Sequence, residues 1–415
     1  MGHATERQIQ NLRRLLDVTR QMAATLDLTR LLETIIEATR AVLDCERATI
    51  FLYDRDRHEL YSRVATGVES IRFPADRGLA GAAAARRQVI NVPDAYADPR
   101  FNPDVDRETG FRTRNVLSFP LENLSGELMG VLQALNKRSG RFTAEDEEMA
   151  RVLSAQAGVA LHRQALLDEF AEKQRMARDL ELARKIQQAS FPKRNPVIPG
   201  YEVAGWNRSA DETGGDCYDF IPLEDGRYAI LLADATGHGI GPALIVAECR
   251  SLVRALLSVT QDLTTVACRV NSILAQDLSD DRFVTAFLGI LDARHHTLQY
   301  VAAGQGPLLL VSPEGVETRG AGGLPLAIVE RLDCPKEEFR FKPGATVVLL
   351  TDGFYEAVSP AGDPFGEERV VDFLQRHAHL PLEQLVSELY AAVRRYSHEV
   401  PQSDDLTAVL VRRNA

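Results

Sequence analysis

The sequence predicts a multidomain α+β chain. It reads as an N-terminal helix over residues 1–27, an α+β domain over 28–163, a helical linker over 164–192 and a second α+β domain over 193–415. Three observations predict this division. At 415 residues the chain exceeds what a single hydrophobic core usually serves. From Leu161 to Gln188 it carries neither proline nor glycine and is dense in Ala, Leu, Glu, Arg and Lys, the composition of one long helix. Beyond that stretch, four short segments each set an aspartate at the edge of an apolar, strand-like run, beside glycine or other turn formers.

Taken in order, Ile9, Leu12, Leu15, Leu16 and Met22 recur at helical spacing between Glu6 and Met22. This helix packs on its own domain or makes a dimer contact. A second helix near Leu31 to Leu43 leads into a hairpin, Ala48 to Tyr53 and Glu59 to Ala65, across the polar turn Asp54-Arg55-Asp56-Arg57. Strands follow at Val89 to Val92, Asn115 to Leu121 and Leu128 to Leu135, and a helix from Ala144 to Leu161 closes the domain and runs into the linker. Leu166, Phe170, Ala177 and Leu180 fit a heptad seam, interrupted by Arg163, Lys173 and Arg184. The linker is therefore either a parallel dimeric coil or a helix packed on the following domain. Pro192, Pro196 and Pro199 end it. In the last domain, Tyr228 to Ala233 is an apolar strand ending at Asp234, with a helix from Pro242 to Leu257. Phe283 to Leu291 and Thr297 to Ala302 form a hairpin, and Thr346 to Leu350 is a buried strand. Helices at Glu367 to Arg376 and Leu382 to Tyr396 precede the final strand, Leu406 to Val411.

With 45% hydrophobic and 26% charged residues, the chain is expected to be globular. A formal net charge of -11 argues against a nucleic-acid partner, because no basic excess exists to displace counterions. Cys45, Cys217, Cys249, Cys268 and Cys334 form no C-x-x-C pair, which fits a reducing compartment. No signal-peptide h-region and no apolar run of membrane-spanning length are present. A cytoplasmic protein without a membrane partner is expected.

The four acidic segments carry the chemistry. They are Gly214-Gly215-Asp216-Cys217-Tyr218-Asp219, Asp234-Ala235-Thr236-Gly237-His238-Gly239, Thr351-Asp352-Gly353 and Ser403-Asp404-Asp405-Leu406-Thr407. Any one aspartate alone reads as a turn former or helix cap. Strands set side by side, however, bring their ends to a common mouth, where gathered carboxylates resist ionising together. A divalent cation removes that conflict, and hard oxygen ligands suit Mg²⁺ or Mn²⁺.

Residues from Leu180 to the C-terminus resemble the metal-dependent type 2C (PPM) serine/threonine phosphatases, in the bacterial SpoIIE-like branch with an RsbU-like catalytic domain. The four motifs carry the likeness, together with Phe283-Val284-Thr285-Ala286 and the approach helix with Ile186-Gln187-Gln188 and Pro192. The resemblance implies an α-β-β-α sandwich with two Mn²⁺ or Mg²⁺ ions held by Asp216, Asp234, the Ala235 carbonyl, Asp352 and Asp404. It further implies hydrolysis of phosphoserine or phosphothreonine on a partner, such as an anti-sigma factor antagonist or similar regulator. Two ions about 3.5–4 Å apart can acidify a shared water and neutralise the phosphoryl oxygens. Cys217, beside a ligand but with nothing basic near it, reads as structural. His238 reads first as part of the strand-to-helix junction and second as a catalytic group. Ala303-Gly304-Gln305-Gly306-Pro307 departs from the Gly-His-Asn-Pro pattern of the branch, which leaves the metal set untouched but puts the local loop in question. Gly214-Gly215-Asp216 is not the GGDEF signature of diguanylate cyclases, since Cys217 and Tyr218 replace its acidic residue.

Residues 28–163 resemble a GAF domain, a small-molecule sensory module, of α/β type. Asn136-Lys137, Phe142 and Asp146-Glu147 match the NKFDE pattern of cyclic-nucleotide-binding members. In that family the Lys and Asp act mainly as a structural clasp. The resemblance leaves open a cyclic nucleotide, another small ligand or none. Two functions compete: a signal-regulated phosphatase, dimeric through the linker seam, or a catalytically weak, phosphatase-like binding module acting as a ligand-responsive scaffold. The four retained aspartates favour the first.

Overall fold

The protein is described from a computed structural model covering residues 16–415, apart from 18, 23, 26, 63–70, 280 and 399. Ile9, Leu12 and Leu15 of the expected first helix, and the end of the expected strand at 63–65, lie outside the described residues. The chain divides into two compact units, with the boundary between Gln174 and Arg175. Among the described residues, no helix is long and apolar enough to cross a membrane.

In the first unit, Asp27 caps helix α1 (Leu28–Leu43) by accepting from the Arg30 amide at 2.9 Å, satisfying one of the orphan donors of the first turn. A six-stranded antiparallel sheet follows, built from β1 (Cys45–Asp54), β2 (Glu59–Tyr61), β3 (Arg72–Pro74), β4 (Ile90–Val92), β5 (Val116–Glu122) and β6 (Leu128–Lys137) in the order β3-β2-β1-β6-β5-β4. Short helices α2 (Gly78–Arg86) and α3 (Asp104–Thr109) lie in the connections. Helix α4 runs without interruption from Ala144 to Ser190. The sheet is apolar on both faces. Ile50, Leu52, Leu132 and Ala134 pack with Met22, Leu31, Ile35, Leu153 and Leu161. Phe51, Val116 and Val131 pack with Leu79, Ala80 and Ala83 of α2. Each such Leu or Phe contributes about 1.5–3 kcal/mol by leaving water. Beyond Gln164 the helix buries little, and Leu166 and Phe170 are exposed.

The second unit is a sandwich of two five-stranded sheets. One holds β8 (Asp216–Pro222), β9 (Tyr228–Ala235), β10 (Val284–Asp292), β11 (Thr297–Ala303) and β14 (Glu337–Arg340), ordered β14-β11-β10-β9-β8. The other holds β7 (Tyr201–Arg208), β12 (Leu308–Ser312), β13 (Gly315–Arg319), β15 (Thr346–Leu350) and β16 (Leu406–Arg413), ordered β13-β12-β15-β16-β7. Tyr218, Leu232 and Phe287 of the first sheet meet Val203, Val347 and Val409 of the second in a central core. Helices α5 (Ile240–Leu257) and α6 (Leu263–Asp277) cover one outer face; α7 (Gly353–Glu356), α8 (Gly366–His377) and α9 (Leu382–Ser397) cover the other. The layers are α-β-β-α, and every strand pairing is antiparallel.

Candidate active site

The site forms where the two sheets meet at one end. Strands β8 and β9 pair in a register that sets Asp216 directly opposite Asp234, and Thr285 of β10 lies opposite Asp234 on the other side. From the second sheet, β15 ends just before Thr351-Asp352, and β16 begins just after Asp404-Asp405. The sheets are stitched here by hydroxyls. Thr351 Oγ1 and Thr407 Oγ1 both donate to Asp216 Oδ2, at 2.8 and 2.5 Å. The Thr407 amide in turn donates to Thr351 Oγ1 at 2.9 Å. One oxygen of the buried Asp216 is thereby committed to the fold, and its carboxylate is fixed toward Asp234.

Asp405, beside the expected ligand Asp404, does different work. Its carboxylate is buried and accepts from the Ala210 amide at 2.8 Å and the Asp216 amide at 3.3 Å. It also fills the space a side chain on Gly214 would need, since a Cβ there would stand 2.3 Å from Asp405 Oδ2. Gly214 is therefore required by close approach rather than by backbone conformation. Helix α4 grips the same loop: Gln187 Nε2 donates to the Gly214 carbonyl at 2.6 Å, and the Gly214 amide donates to Gln187 Oε1 at 3.1 Å. Gly215 approaches the Ala235 carbonyl, 2.6 Å from where its Cβ would be.

Asp352 and Asp404 close the mouth. Together with Glu356, one helical turn after Asp352, they offer carboxylate oxygens all within 4.8 Å of one another. Glu356 was not singled out in the sequence, although its i, i+4 relation to Asp352 was there to read. The carboxylates repel one another strongly. Burial, and then the charge of Asp234, hold the Asp216 carboxyl well above its ordinary range. Burial, and then Asp352 and Asp404, push Asp234 from 3.8 to about 8. Asp352 rises to about 6 through burial and Asp404. None of the ion pairs among the described residues gives these four aspartates a cationic partner.

The folded chain holds these protons more tightly than the unfolded chain does. With no cation bound, their contribution is complete below the ordinary value of 3.8 and is lost as pH rises through about 6 for Asp352 and about 8 for Asp234. The Tm of chelator-treated protein should fall over that interval, and added Mn²⁺ should restore it most at the alkaline end. A Tm of the chelated protein that rises across the interval contradicts this electrostatic picture.

Other residues of the motifs have structural places. Asp219 faces the helical side of β8 and is fully buried against Arg250 at 2.8 Å and Arg254 at 2.5 Å, which ties α5 to the strand carrying Asp216. His238 is exposed and pairs through Nδ1 with Asp211 at 2.8 Å, in a loop turned by Gly237 and Gly239, both at φ 91. Gln305 is buried; Thr285 Oγ1 donates to its Oε1 at 3.1 Å, and its Nε2 donates to the Leu350 carbonyl at 2.9 Å. That residue braces the loop across both sheets. Cys217 is buried, and burial, with Cys249 next, holds its thiol well above the ordinary range, the opposite of an activated nucleophile. Cys217→Ser should therefore keep most activity, and a thiol-alkylating reagent should not inactivate the native enzyme. Stoichiometric inactivation that phosphate prevents, and that the serine variant escapes, would overturn this reading of Cys217.

In the first unit, the NKFDE residues form a clasp. Lys137 Nζ donates to Asp146 Oδ1 at 2.7 Å and to the Leu43 carbonyl at 2.9 Å. Asn136 bridges Glu46, the Arg112 carbonyl and the Arg114 amide. Phe142 is buried in the core, and Glu147 accepts from Asn91 at 2.9 Å. None of the five lines the cavity of this unit. Their side chains hold the sheet to α1 and α4.

The sandwich and its acid-lined mouth give the second unit the architecture of a PPM-type (PP2C-like) phosphatase domain. Residues 224–414 match the family of Stage II sporulation protein E (SpoIIE), and residues 27–161 match the GAF domain family. The chain thus joins a GAF domain to a SpoIIE-family phosphatase domain. Asp216 precedes the matched segment, so its place in the site rests on the geometry above. The SiaA-PP2C domain of Pseudomonas aeruginosa is 26% identical and covers 59% of this chain and 99% of its own, with a TM-score of 0.53. The RsbU and RsbW domains of a Mycobacterium tuberculosis protein are 25% identical over 53% of this chain and 62% of theirs, with a TM-score of 0.47. A probable 3',5'-cyclic phosphodiesterase of Caenorhabditis elegans is 34% identical over 143 residues, 31% of this chain and 20% of that protein. The chain thus spans a fifth of the length of that curated relative.

Proposed function

We propose that the chain is a metal-dependent phosphatase acting on phosphoserine or phosphothreonine of a partner regulatory protein, under control of its GAF domain. One observation carries the reading: Asp216, Asp234, Asp352 and Asp404 come from four separate segments to one mouth and have no cationic partner among the described residues to balance them. That donor set fits hard divalent ions. Asp216, Asp234, the Ala235 carbonyl, Asp352 and Asp404 would hold two Mn²⁺ or Mg²⁺. Bound there, the ions supply a water acidic enough to attack phosphorus at neutral pH and neutralise the phosphoryl oxygens. The chain's part is positional. Thr351 and Thr407 fix Asp216, Asp405 holds the loop before it, and Arg250 and Arg254 anchor β8 through Asp219. A partner of the anti-sigma factor antagonist type is the substrate class that fits the SpoIIE-family domain.

The GAF domain would act through α4. This helix passes the domain boundary unbroken and ends with Gln187 clasping Gly214, two residues before Asp216. A ligand can shift activity only through different affinity for two arrangements of such a connection. Pairing of two chains through Leu166, Phe170, Ala177 and Leu180 would supply them. Gln187→Ala should lower turnover by about tenfold and raise the Mn²⁺ concentration needed for half activation, because the Gly214 amide and carbonyl lose their partners. Wild-type kinetics in that variant would separate the helix from the site.

The reading is tested by turnover of p-nitrophenyl phosphate and of a phosphoserine peptide, with Mn²⁺ and with excess chelator. Metal-dependent release of phosphate from both is expected. A folded chain that binds Mn²⁺ yet turns over neither would be a phosphatase-like scaffold instead.

A further inference from the structure

The segment Ala303-Gly304-Gln305-Gly306-Pro307 carries the chain from one sheet of the sandwich to the other. Strand β11 ends at Ala303 in the first sheet, and β12 begins at Leu308 in the second. The backbone is pinned before it crosses: Gly304 bridges Ala286 of β10, and its amide donates to the Gly323 carbonyl at 2.9 Å. Gln305 is 6% exposed, and its side chain reaches both sheets. Nε2 donates to the Leu350 carbonyl at 2.9 Å, and Oε1 accepts from Thr285 Oγ1 at 3.1 Å. A carbonyl only accepts, so Leu350 dictates that the amide nitrogen faces β15 and the amide oxygen faces the Thr285 hydroxyl.

Both partners border the acid cluster. Thr285 lies opposite Asp234 in the pairing of β10 with β9. Leu350 is the last residue of β15, two before Asp352. Strand β9, which carries Asp234, runs between β8 and β10. On its β8 side, Thr351 and Thr407 hold Asp216 to the second sheet. On its β10 side, Gln305 makes the corresponding tie. The end of β15 is thereby joined to both neighbours of the strand that carries Asp234. Repulsion of Asp234 by Asp352 and Asp404 works to widen the gap between the sheets, and the two ties oppose it.

We infer that Gln305 is a positioning residue of the metal centre. By joining Thr285 to the Leu350 carbonyl, it fixes the spacing between Asp234 and Asp352, so that carboxylates of both sheets hold the same divalent ions. The inference rests on the metal-dependent reading proposed above and names what sets the width of that site. The task needs a side chain long enough to span the gap, with one donor and one acceptor at its tip. Glutamine supplies both without charge. A carboxylic acid there would have to keep a proton to donate to the carbonyl, beside a cluster already crowded with carboxylates. Histidine, the residue of the branch's Gly-His-Asn-Pro pattern, carries a donor and an acceptor on one neutral ring and serves the same two partners.

Calorimetric titration of the chelated full chain with Mn²⁺ tests it, beside turnover of p-nitrophenyl phosphate at saturating Mn²⁺, in Gln305→Met and Gln305→His. Methionine keeps the length and bulk of the side chain but neither hydrogen bond. Gln305→Met should bind Mn²⁺ about tenfold more weakly and lose about tenfold in kcat, and Gln305→His should recover most of both. Thr285→Val should weaken Mn²⁺ binding in the same direction, and the double variant Thr285→Val/Gln305→Met should be no worse than the poorer single one, because both changes break one tie. All isotherms are taken well below each variant's Tm, where a loss of stability alone leaves Mn²⁺ affinity unmoved. A folded Gln305→Met chain with wild-type Mn²⁺ affinity overturns the inference, as does a Gln305→His chain that recovers Tm but not Mn²⁺ affinity. A wild-type chain that binds Mn²⁺, shows these shifts in its variants and hydrolyses nothing keeps the inference and removes the phosphatase reading. A wild-type chain that binds no Mn²⁺ overturns both.

Discussion

Asp234→Asn is expected to lower phosphatase turnover by at least about 10²–10³-fold, the scale of removing one preorganised electrostatic contact, while leaving the sandwich folded. Asp234 stands opposite Asp216 in the strand register and feels both Asp352 and Asp404. It is therefore the carboxylate most central to the cluster. The same change removes a repelling charge, so the chelated variant should melt higher than the chelated wild type at alkaline pH. These opposite effects on activity and stability separate a metal-site residue from a merely structural one. Retained activity together with an unchanged Tm would remove Asp234 from the centre.

Asp405→Ala should be the single change at the site most damaging to stability. The part-buried amide of Ala210 and the buried amide of Asp216 both lose their acceptor, at about 1–3 kcal/mol for the buried group left unsatisfied and less for the other. The variant should show a Tm several degrees lower and a half-activating Mn²⁺ concentration shifted upward. Asp405→Asn keeps one acceptor oxygen, enough for the Ala210 amide, but sets its NH₂ group against the Asp216 amide, and should recover only part of the stability. Equal stability of the alanine variant and the wild type would show that the loop is held by other means.

Much of this architecture was legible because its signals are local. The stretch without proline or glycine reads directly as α4, whose seam residues Leu166 and Phe170 are exposed in the single chain. The apolar run Tyr228 to Ala233, closed by an acid, reads as β9. What escaped was set by tertiary pairing. Thr351 and Thr407 look like ordinary strand-end residues until the second sheet lies against Asp216. Asp404 and Asp405 are adjacent acids, and only the direction of each side chain sends one to the mouth and the other into the Gly214 loop. Gln187 lies 27 residues before its partner Gly214. Strand β7 and helix α6 carried mixed patterns, the helix marked only by its Asp262 cap.

The most direct test is the release of phosphate from a phosphoserine- or phosphothreonine-bearing protein as Mn²⁺ is titrated into fully chelated enzyme. Turnover should be absent at the start, rise with Mn²⁺ to saturation, and fail to appear in Asp234→Asn at any Mn²⁺ concentration. Turnover that persists in excess chelator, or that Asp234→Asn retains, would contradict a centre built on these four aspartates.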